Sequence, residues 1–317
     1  MAITAATPQS IAEAARALRA GRLVAFPTET VYGLGADATN GEAVAAIFEA
    51  KGRPRFNPLI VHVPGLAAAR GIARFPQPAE KLAAAFWPGP LTLVLPRRPE
   101  SGISSLVTAG LDTIALRVPA HEVARSLLRE AGIPVAAPSA NRSGHVSATR
   151  AEHVLADLGE APAFILDAGP TPAGLESTIV ACTQETCALL RPGAIAREDI
   201  EAVLGGALVS GPAEAAKPSS PGQLESHYAP RAKLRLNATA VREGEALLAF
   251  GPDVPEFKGP CINLSPSGSL REAAAALFSA LRALDESGAH TIAVMPIPAE
   301  GLGEAINDRL RRAAAPR

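Results

Sequence analysis

The sequence predicts an α/β fold in two parts, a larger unit with a mixed sheet and a small α/β unit joined to it by a linker. Three observations predict it. Helical and strand patterns alternate along residues 10–205. Near the end of that stretch several strands follow one another with no helix between them, so the sheet is not purely parallel. A stretch rich in Pro, Gly, Ser and Ala, VSGPAEAAKPSSPGQ at 209–223, then leads into a compact α/β pattern of roughly 80 residues. The expected division is a larger α/β domain over 1–207, a linker over 208–233 and a small C-terminal α/β domain over 234–317.

The elements follow in order. SIAEAARALRAG reads as a helix with Ser10 as its cap, Glu13 three residues on and Gly21 as its stop. RLVAFP is a strand ended by Pro27. EAVAAIFEAKG, 42–52, is a second helix and NPLIVHV, 57–63, a strand. A helix over 78–86 has Pro78 in its first turn and halts at WPGP, 87–90. LTLVLP and TIALRVP (113–119) are strands, followed by a helix over 120–131 and the short strand IPVAAP. PSANRSG, 138–144, is a loop. A helix over 149–158, the strands AFILDAG, STIVAC and ALLRPG, and a helix over 198–205 complete this part. Beyond the linker, EALLAF and TIAVMPIP are strands flanking an alanine-rich helix over 270–286, and a last helix starts at about 301.

Composition narrows the function classes. The 317 residues carry a net charge of −1, so no global positive field draws in nucleic acid. Three cysteines, Cys182, Cys187 and Cys261, make neither a disulfide framework nor a paired metal hook, and fit a reducing cytosol. MAITAATPQS is not patterned as a signal peptide, and no apolar run nears the ~20 residues that span a membrane. The expectation is a cytoplasmic protein with no membrane contact. GxxxxGK[ST], GxSxG and HExxH are absent, and GLGAD lacks the full dinucleotide fingerprint.

The informative feature is polarity at the ends of apolar strands, where open α/β sheets hold ligands. FPTETVYGLG, 26–35, sets Thr28 and Thr30 beside one of two tyrosines, Tyr32. A helix or turn cap is the ordinary reading of the threonines. In AKGRPRFNPL, Lys51, Arg53 and Arg55 bunch before Asn57 on a proline-stiffened connection. They suit either a helix C-terminus or a triphosphate. His62, inside LIVHV, reads as a core residue in need of a partner. Arg117 interrupts the strand opened by Thr113 and wants an anion, either a protein carboxylate or a carboxylate ligand. Ser139, Asn141, Arg142 and Ser143 form a turn, and Ser147 and Thr149 lead into a helix start. Ser177 and Arg191 again lie near strand ends. Together these segments outline one crevice for a substrate bearing phosphates and a carboxylate.

At this point the chain resembles the L-threonylcarbamoyladenylate synthase family with its YrdC-like domain. FPTETVYGLG, AKGRPRFNPLIVHV, FWPGPLTLVL, ALRVPAH, APSANRSGHVSATRAEHV, GLESTIV and LLRPG carry the resemblance in order, from about residue 10 to 205. SPGQLESHYAPRAKL, 220–234, resembles the linker of the longer branch, which has an extra C-terminal domain. The resemblance implies a YrdC-like twisted mixed open sheet with flanking helices, plus a small Rossmann-like C-terminal α/β domain.

It also implies a reaction. L-Threonine, bicarbonate or CO₂, and ATP become L-threonylcarbamoyladenylate and pyrophosphate, with Mg²⁺ on the phosphates. The product passes to a tRNA threonylcarbamoyl transferase complex, and a weak contact with tRNA stays open. By resemblance, Lys51 and Arg53 bind phosphate and Asn57 forms the same wall. Thr28, His62, Arg117 and Ser139 surround threonine or its carbamate, with Ser177 at the reacting end. Thr113, Asn141, Ser147 and Arg191 lie along the nucleotide, and Tyr228 closes over the site. No protein nucleophile and no carboxylate cluster for a metal is expected. The roles of Thr30, Arg55 and His227 stay open, and His227 and Tyr228 read either as a lid tip or as a contact that docks the linker on the first domain. Two rival classes are an RNA-binding module of the same fold and transfer of a carbamoyl or nucleotidyl group to another acceptor. Few aromatics (4%) weigh against the first. The absence of acylphosphatase-like and zinc-finger segments weighs against carbamoyl transfer.

Overall fold

The computed structural model describes residues 3–183, 186–210, 220–222 and 225–316. In chain order the first unit runs β1 (Ile3–Ala5), α1 (Pro8–Arg19), β2 (Val24–Pro27), β3 (Tyr32–Asp37), α2 (Gly41–Lys51), β4 (Ile60–His62), α3 (Leu66–Ile72), α4 (Gln77–Phe86) and β5 (Leu91–Pro96). It continues with α5 (Ser105–Thr108), β6 (Thr113–Arg117), α6 (Glu122–Ala131), β7 (Val135–Ala136), α7 (Ala151–Leu158), β8 (Phe164–Asp167), β9 (Thr178–Ala181), β10 (Ala188–Arg191), α8 (Arg197–Leu204) and β11 (Val209–Ser210). The strands form one mixed sheet in the order β1-β8-β2-β3-β7-β4-β6-β5-β9-β10-β11.

Several boundaries differ from the sequence reading, for local reasons. Thr7, not Ser10, caps α1. Ser10 sits at the third helical position and completes a reciprocal box, its hydroxyl accepting from the Thr7 N–H at 2.9 Å. Residues 32–37 are a strand paired antiparallel with β2, in the register Val24↔Gly35 and Phe26↔Gly33, so Thr28–Thr30 is the turn of a hairpin. The two glycines hid this strand from the apolar pattern. Gly35 is needed there, because a Cβ would lie 2.8 Å from the Phe26 ring and 2.9 Å from Val135. Of the strand expected over 57–63, only Ile60–His62 joins the ladder. The first sheet also runs beyond residue 207, since β11 pairs with β10. Of the expected linker, residues 211–219 and 223–224 lie outside the described residues.

The two faces of the sheet are dressed differently. One is buried under α2, α3, α4, α7 and α8 in the main core. On the other, α1 and α6 cover only the β8-β2-β3-β7 end, packing Leu18, Leu127 and Leu128 against Val24, Phe26 and Val135. Over β4, β6, β5 and β9 the same face carries only a small apolar set, Ile60, Val94, Ala115 and Ile179. Among the described residues no helix of the first unit closes it, and this gap is the floor of the site.

The second unit contains β12 (Lys233–Arg235), β13 (Ala246–Ala249), β14 (Cys261–Asn263), α9 (Leu270–Glu286), β15 (Thr291–Val294) and α10 (Leu302–Ala314). Its four strands are all parallel, in the order β12-β15-β13-β14. The α9 stripe of Ala273, Ala274, Leu277, Phe278, Leu281 and Leu284 recurs at three- and four-residue steps and is buried. It meets Val31, Val146 and Leu175 of the first unit in a shared core. The close approach is made at Gly174 (φ +67°), where a Cβ would lie 2.4 Å from the Ala275 carbonyl oxygen. Ion pairs Arg282–Asp157 (2.9 Å) and Arg197–Glu304 (2.5 Å) flank the contact. Among the described residues, no helix is long and apolar enough to cross a membrane.

Candidate active site

Ladder register decides which side chains reach the floor, because residues paired across a sheet point to the same face. His62 pairs with Arg117 and Ile60 with Ala115. Val94 pairs with Ala115, Thr92 with Ile179, and Ile179 with Arg191. An isolated bridge joins Gly33 to Ser139. The open face therefore carries His62, Arg117, Thr92 and Arg191 above small residues. Over it lies a crevice lined by both polar and apolar groups. Thr28, Thr30, Arg53, His62, Arg117, Ser139, Ser177, Arg191 and Tyr228 all line it.

One half is cationic. Lys51, the last residue of α2, is 3% exposed and donates to the Ser139 carbonyl at 2.6 Å and to the Asn141 carbonyl. Arg53 donates to the carbonyls of Asn57 (3.3 Å) and Pro58 (3.0 Å). Arg191 donates to the Ser177 carbonyl at 2.9 Å, and the Ser177 hydroxyl is 2.7 Å from that of Thr92. Among the described residues, no ion pair joins Lys51, Arg53 or Arg191 to a carboxylate. Burial, then the charge of Arg53, pushes the Lys51 ammonium well below its usual range. Burial likewise lowers Arg53 to about 10, despite the opposing influence of Tyr228 and helped by Arg191. Three buried basic side chains with no carboxylate in ion-pair contact form a site suited to an anion.

The other half is polar and nearly neutral. The Thr28 hydroxyl donates to the Val31 carbonyl at 2.7 Å and lies 2.8 Å from the Thr30 hydroxyl. Arg117 donates to Thr30 Oγ1 at 2.9 Å and pairs with Glu29 at 2.6 Å. The second Glu29 oxygen accepts from the Ala120 N–H at 3.0 Å. Of the two anions that Arg117 could take, the protein supplies one, from the middle of the TET turn. Burial opposes ionisation of Glu29, but the charge and hydrogen bond of Arg117 outweigh it and hold the carboxyl below its usual range. Burial, then the charge of Arg117, depresses His62 to about 3, so its imidazole is neutral at physiological pH.

Orphaned polar atoms converge on the same region. His62 Nδ1, Arg117 Nε, His227 Nδ1 and the Tyr228 hydroxyl, all from residues that line the crevice, are buried without a hydrogen-bond partner among the described residues. Buried polar atoms are normally satisfied, so their concentration around one crevice marks a ligand's place.

His227 and Tyr228 enter from the linker. Tyr228 is 1% exposed and sits in the left-handed region (φ 61°), a strained backbone that persists only where its surroundings hold it. Its ring stacks on Phe278 at 5.6 Å, with His227 edge-on at 4.0 Å. Burial, then the charges of Arg53 and Lys51, keeps His227 well below its usual pKa. The Tyr228 ring is stacked on the second unit, where the docking reading had expected the first, and Tyr228 also lines the crevice.

Five sequence-expected residues, Lys51 among them, lie off the lining. Thr113 starts β6, at the opposite end of the strand from Arg117. Ser147 donates to Glu176 Oε1 at 2.5 Å, behind the wall. Asn141 donates to the Arg142 and His145 carbonyls at 2.8 and 2.9 Å. Asn57 stands behind Arg53. Lys51 reaches the wall only through the Ser139 and Asn141 carbonyls. Sequence reasoning missed Glu29, Glu176 and Arg309. Glu29 was visible in TET, between the two threonines. Glu176 directly precedes Ser177. Arg309 belongs to the second unit and carries no local signal.

Comparison with known proteins agrees with this architecture. A family model described as "Telomere recombination" matches residues 16–193, and one described as "Threonylcarbamoyl-AMP synthase, C-terminal domain" matches 195–315. A threonylcarbamoyl-AMP synthase from Bacillus subtilis is 43% identical, covering 97% of this chain and 93% of its own length. One from Pyrococcus abyssi is 42% identical, covering 95% and 93%. The crystal structure of P. abyssi Sua5 complexed with L-threonine superposes with a TM-score of 0.90 at 40% identity, over 97% of this chain and 95% of that one. Both units are matched end to end in the same order, and the chain belongs to the threonylcarbamoyl-AMP synthase family, in the form that carries a C-terminal domain.

Proposed function

We propose that this chain is an ATP-dependent nucleotidyltransferase that converts L-threonine, bicarbonate or CO₂, and ATP to L-threonylcarbamoyladenylate and pyrophosphate, for handover to a tRNA threonylcarbamoyl transferase. The observation that carries the reading is the division of one crevice. Lys51, Arg53 and Arg191 await an anion on one side, and Thr28, Thr30, His62, Arg117 and Ser139 form a polar, nearly neutral cradle on the other. Relatives that are 43% and 42% identical bear the name of this activity, and one solved relative holds L-threonine. A cytoplasmic location is part of this reading, supported by the free thiols of Cys182, Cys187 and Cys261.

The residues act by position and charge. Arg117, through its unpartnered Nε, and the Ser139 hydroxyl face the amino-acid carboxylate. Neutral His62 and the Thr28–Thr30 hydroxyls accept or donate beside the amine without adding a second charge. A carbamate oxygen formed there attacks the α-phosphorus of ATP, and pyrophosphate leaves along Lys51, Arg53 and Arg191. No side chain needs to become covalently attached. Carbamates decompose in water, and the docked Tyr228 excludes it. Mg²⁺ fits as a companion of the nucleotide. Glu176 is the carboxylate lining the crevice, and both its oxygens are engaged, so phosphates and water would hold the ion.

The test is pyrophosphate release from ATP, Mg²⁺, bicarbonate and L-threonine, with serine and no-bicarbonate controls. Release should require threonine and bicarbonate. Equal release without threonine overturns the assignment.

Lys51 adds a pH prediction. Its pKa is low in the free protein and rises when phosphates arrive, so binding takes up a proton between those two values. ATP affinity is then full below the free-state pKa and falls as pH rises through it. Calorimetry over a pH series, in two buffers of different ionisation heat, should show this uptake, and Lys51→Arg should abolish it. Equal heats in both buffers for the unmodified chain would remove this role from Lys51.

A further inference from the structure

Arg309 lies on α10 of the second unit, yet it is 0% exposed and its guanidinium stands directly behind the crevice wall. Nε donates to Glu176 Oε2 at 2.8 Å, Nη2 to the Pro192 carbonyl at 3.0 Å and Nη1 to Asp308 at 2.6 Å. Its carbon lies 4.9 Å from the centre of the Tyr228 ring. One side chain thus braces three separate wall segments, those of Glu176–Ser177, Arg191–Pro192 and Tyr228. The guanidinium and its two carboxylate partners, Glu176 and Asp308, are all buried. Replacing such a set whole by apolar residues is often neutral or stabilising, because a buried ion pair seldom repays the desolvation of its charges, although removing one partner alone is costly. Net stability therefore does not by itself explain a guanidinium here.

Charge does. Glu176 lines the crevice that Lys51, Arg53 and Arg191 make cationic. A carboxylate free to turn among those cations would neutralise one of them where phosphates bind. Ser147 holds one Glu176 oxygen at 2.5 Å and Arg309 the other. We propose that Arg309 is a positioning residue for the nucleotide half of the site, holding the Glu176 carboxylate away from Arg191 and bracing Tyr228 over the crevice. The C-terminal domain is then a working part of the catalytic unit, and its docking and the readiness of the phosphate site are a single event. The proposal rests on the reading of the cationic half as the ATP site.

The test measures ATP binding by calorimetry in the full chain without threonine, beside Tm. Arg309→Met should weaken ATP binding at least about tenfold, since truncating one partner of a buried charge pair frees the other. Adding Glu176→Gln to that variant should restore much of the affinity by removing the competing carboxylate. Arg309→Lys keeps the charge but not the fork, and guards against a variant that does not fold. It should bind ATP more weakly than the unmodified chain, and Glu176→Gln should again rescue it. Arg197→Ala, which breaks a docking pair at the rim (25% and 30% exposed side chains), should leave ATP affinity within about twofold. A lowered Tm with unchanged ATP affinity overturns the proposal, as does failure of Glu176→Gln to rescue either Arg309 variant. Failure of the unmodified chain to bind ATP would instead overturn the reading of the site.

Discussion

Replacing Arg53 with Met is expected to lower kcat/KM for ATP by about 10²–10³ while leaving Tm unchanged or raised. The activity loss follows from removing a preorganised cation that faces charge on the departing pyrophosphate, an effect of roughly 3–4 kcal/mol for such donors. The stability result runs the other way because Arg53 is 8% exposed and has no carboxylate partner among the described residues. Its desolvation is a standing cost of the ligand-free protein, offset only by hydrogen bonds to the Asn57 and Pro58 carbonyls. Pyrophosphate release against ATP concentration and a thermal melt read both quantities. KM for threonine should stay within about threefold, since Arg53 stands in the other half of the crevice. A steep fall in Tm with unchanged ATP kinetics would make Arg53 a structural residue of the 53–58 loop.

Glu29→Ala should produce the opposite pattern, a loss of about 3–5 kcal/mol in stability, because it strands a buried guanidinium. Arg117 has a side chain only 4% exposed, and Glu29 is its charge partner at 2.6 Å. The same carboxylate caps the backbone N–H groups of Ala120 and His121, tying the TET turn to the approach of α6. Urea denaturation measures the loss, and Glu29→Gln should recover part of it by restoring an acceptor without the charge. The vacated guanidinium should then welcome another carboxylate, so millimolar L-threonine should raise the Tm of Glu29→Ala more than that of the unmodified chain. If Glu29→Ala melts like the unmodified chain, Arg117 does not depend on Glu29. If threonine stabilises both equally, its carboxylate does not use the position that Glu29 vacates, and if it stabilises neither, Arg117 does not hold it.

The two halves of the site differ in how visible they were. Lys51, Arg53, Arg117 and Arg191 stood out because a cation beside or within an apolar strand needs a partner, and that need is local. The α2, β5 and α9 segments were legible for the same kind of reason, since their apolar periodicity lies within one element. β3 was not, because Gly33 and Gly35 remove the side chains that would have shown alternation. Nor was the cap of α1, where Thr7 and Ser10 exchange hydrogen bonds and either could have led.

What the sequence by itself determined was the inventory: two α/β units, polar groups at strand ends, cations enough for phosphates, and a family resemblance that the two family models and the relatives matched. What only the tertiary structure decided was partnership. It gave Arg117 to Glu29, put Ser147 behind Glu176, left Thr113 at the far end of its strand and brought Arg309 to Glu176 across 133 positions. The physical reason is that the need for a partner is a property of one residue, whereas the identity of that partner depends on which segments the packed sheet and the docked second unit bring within about 3 Å.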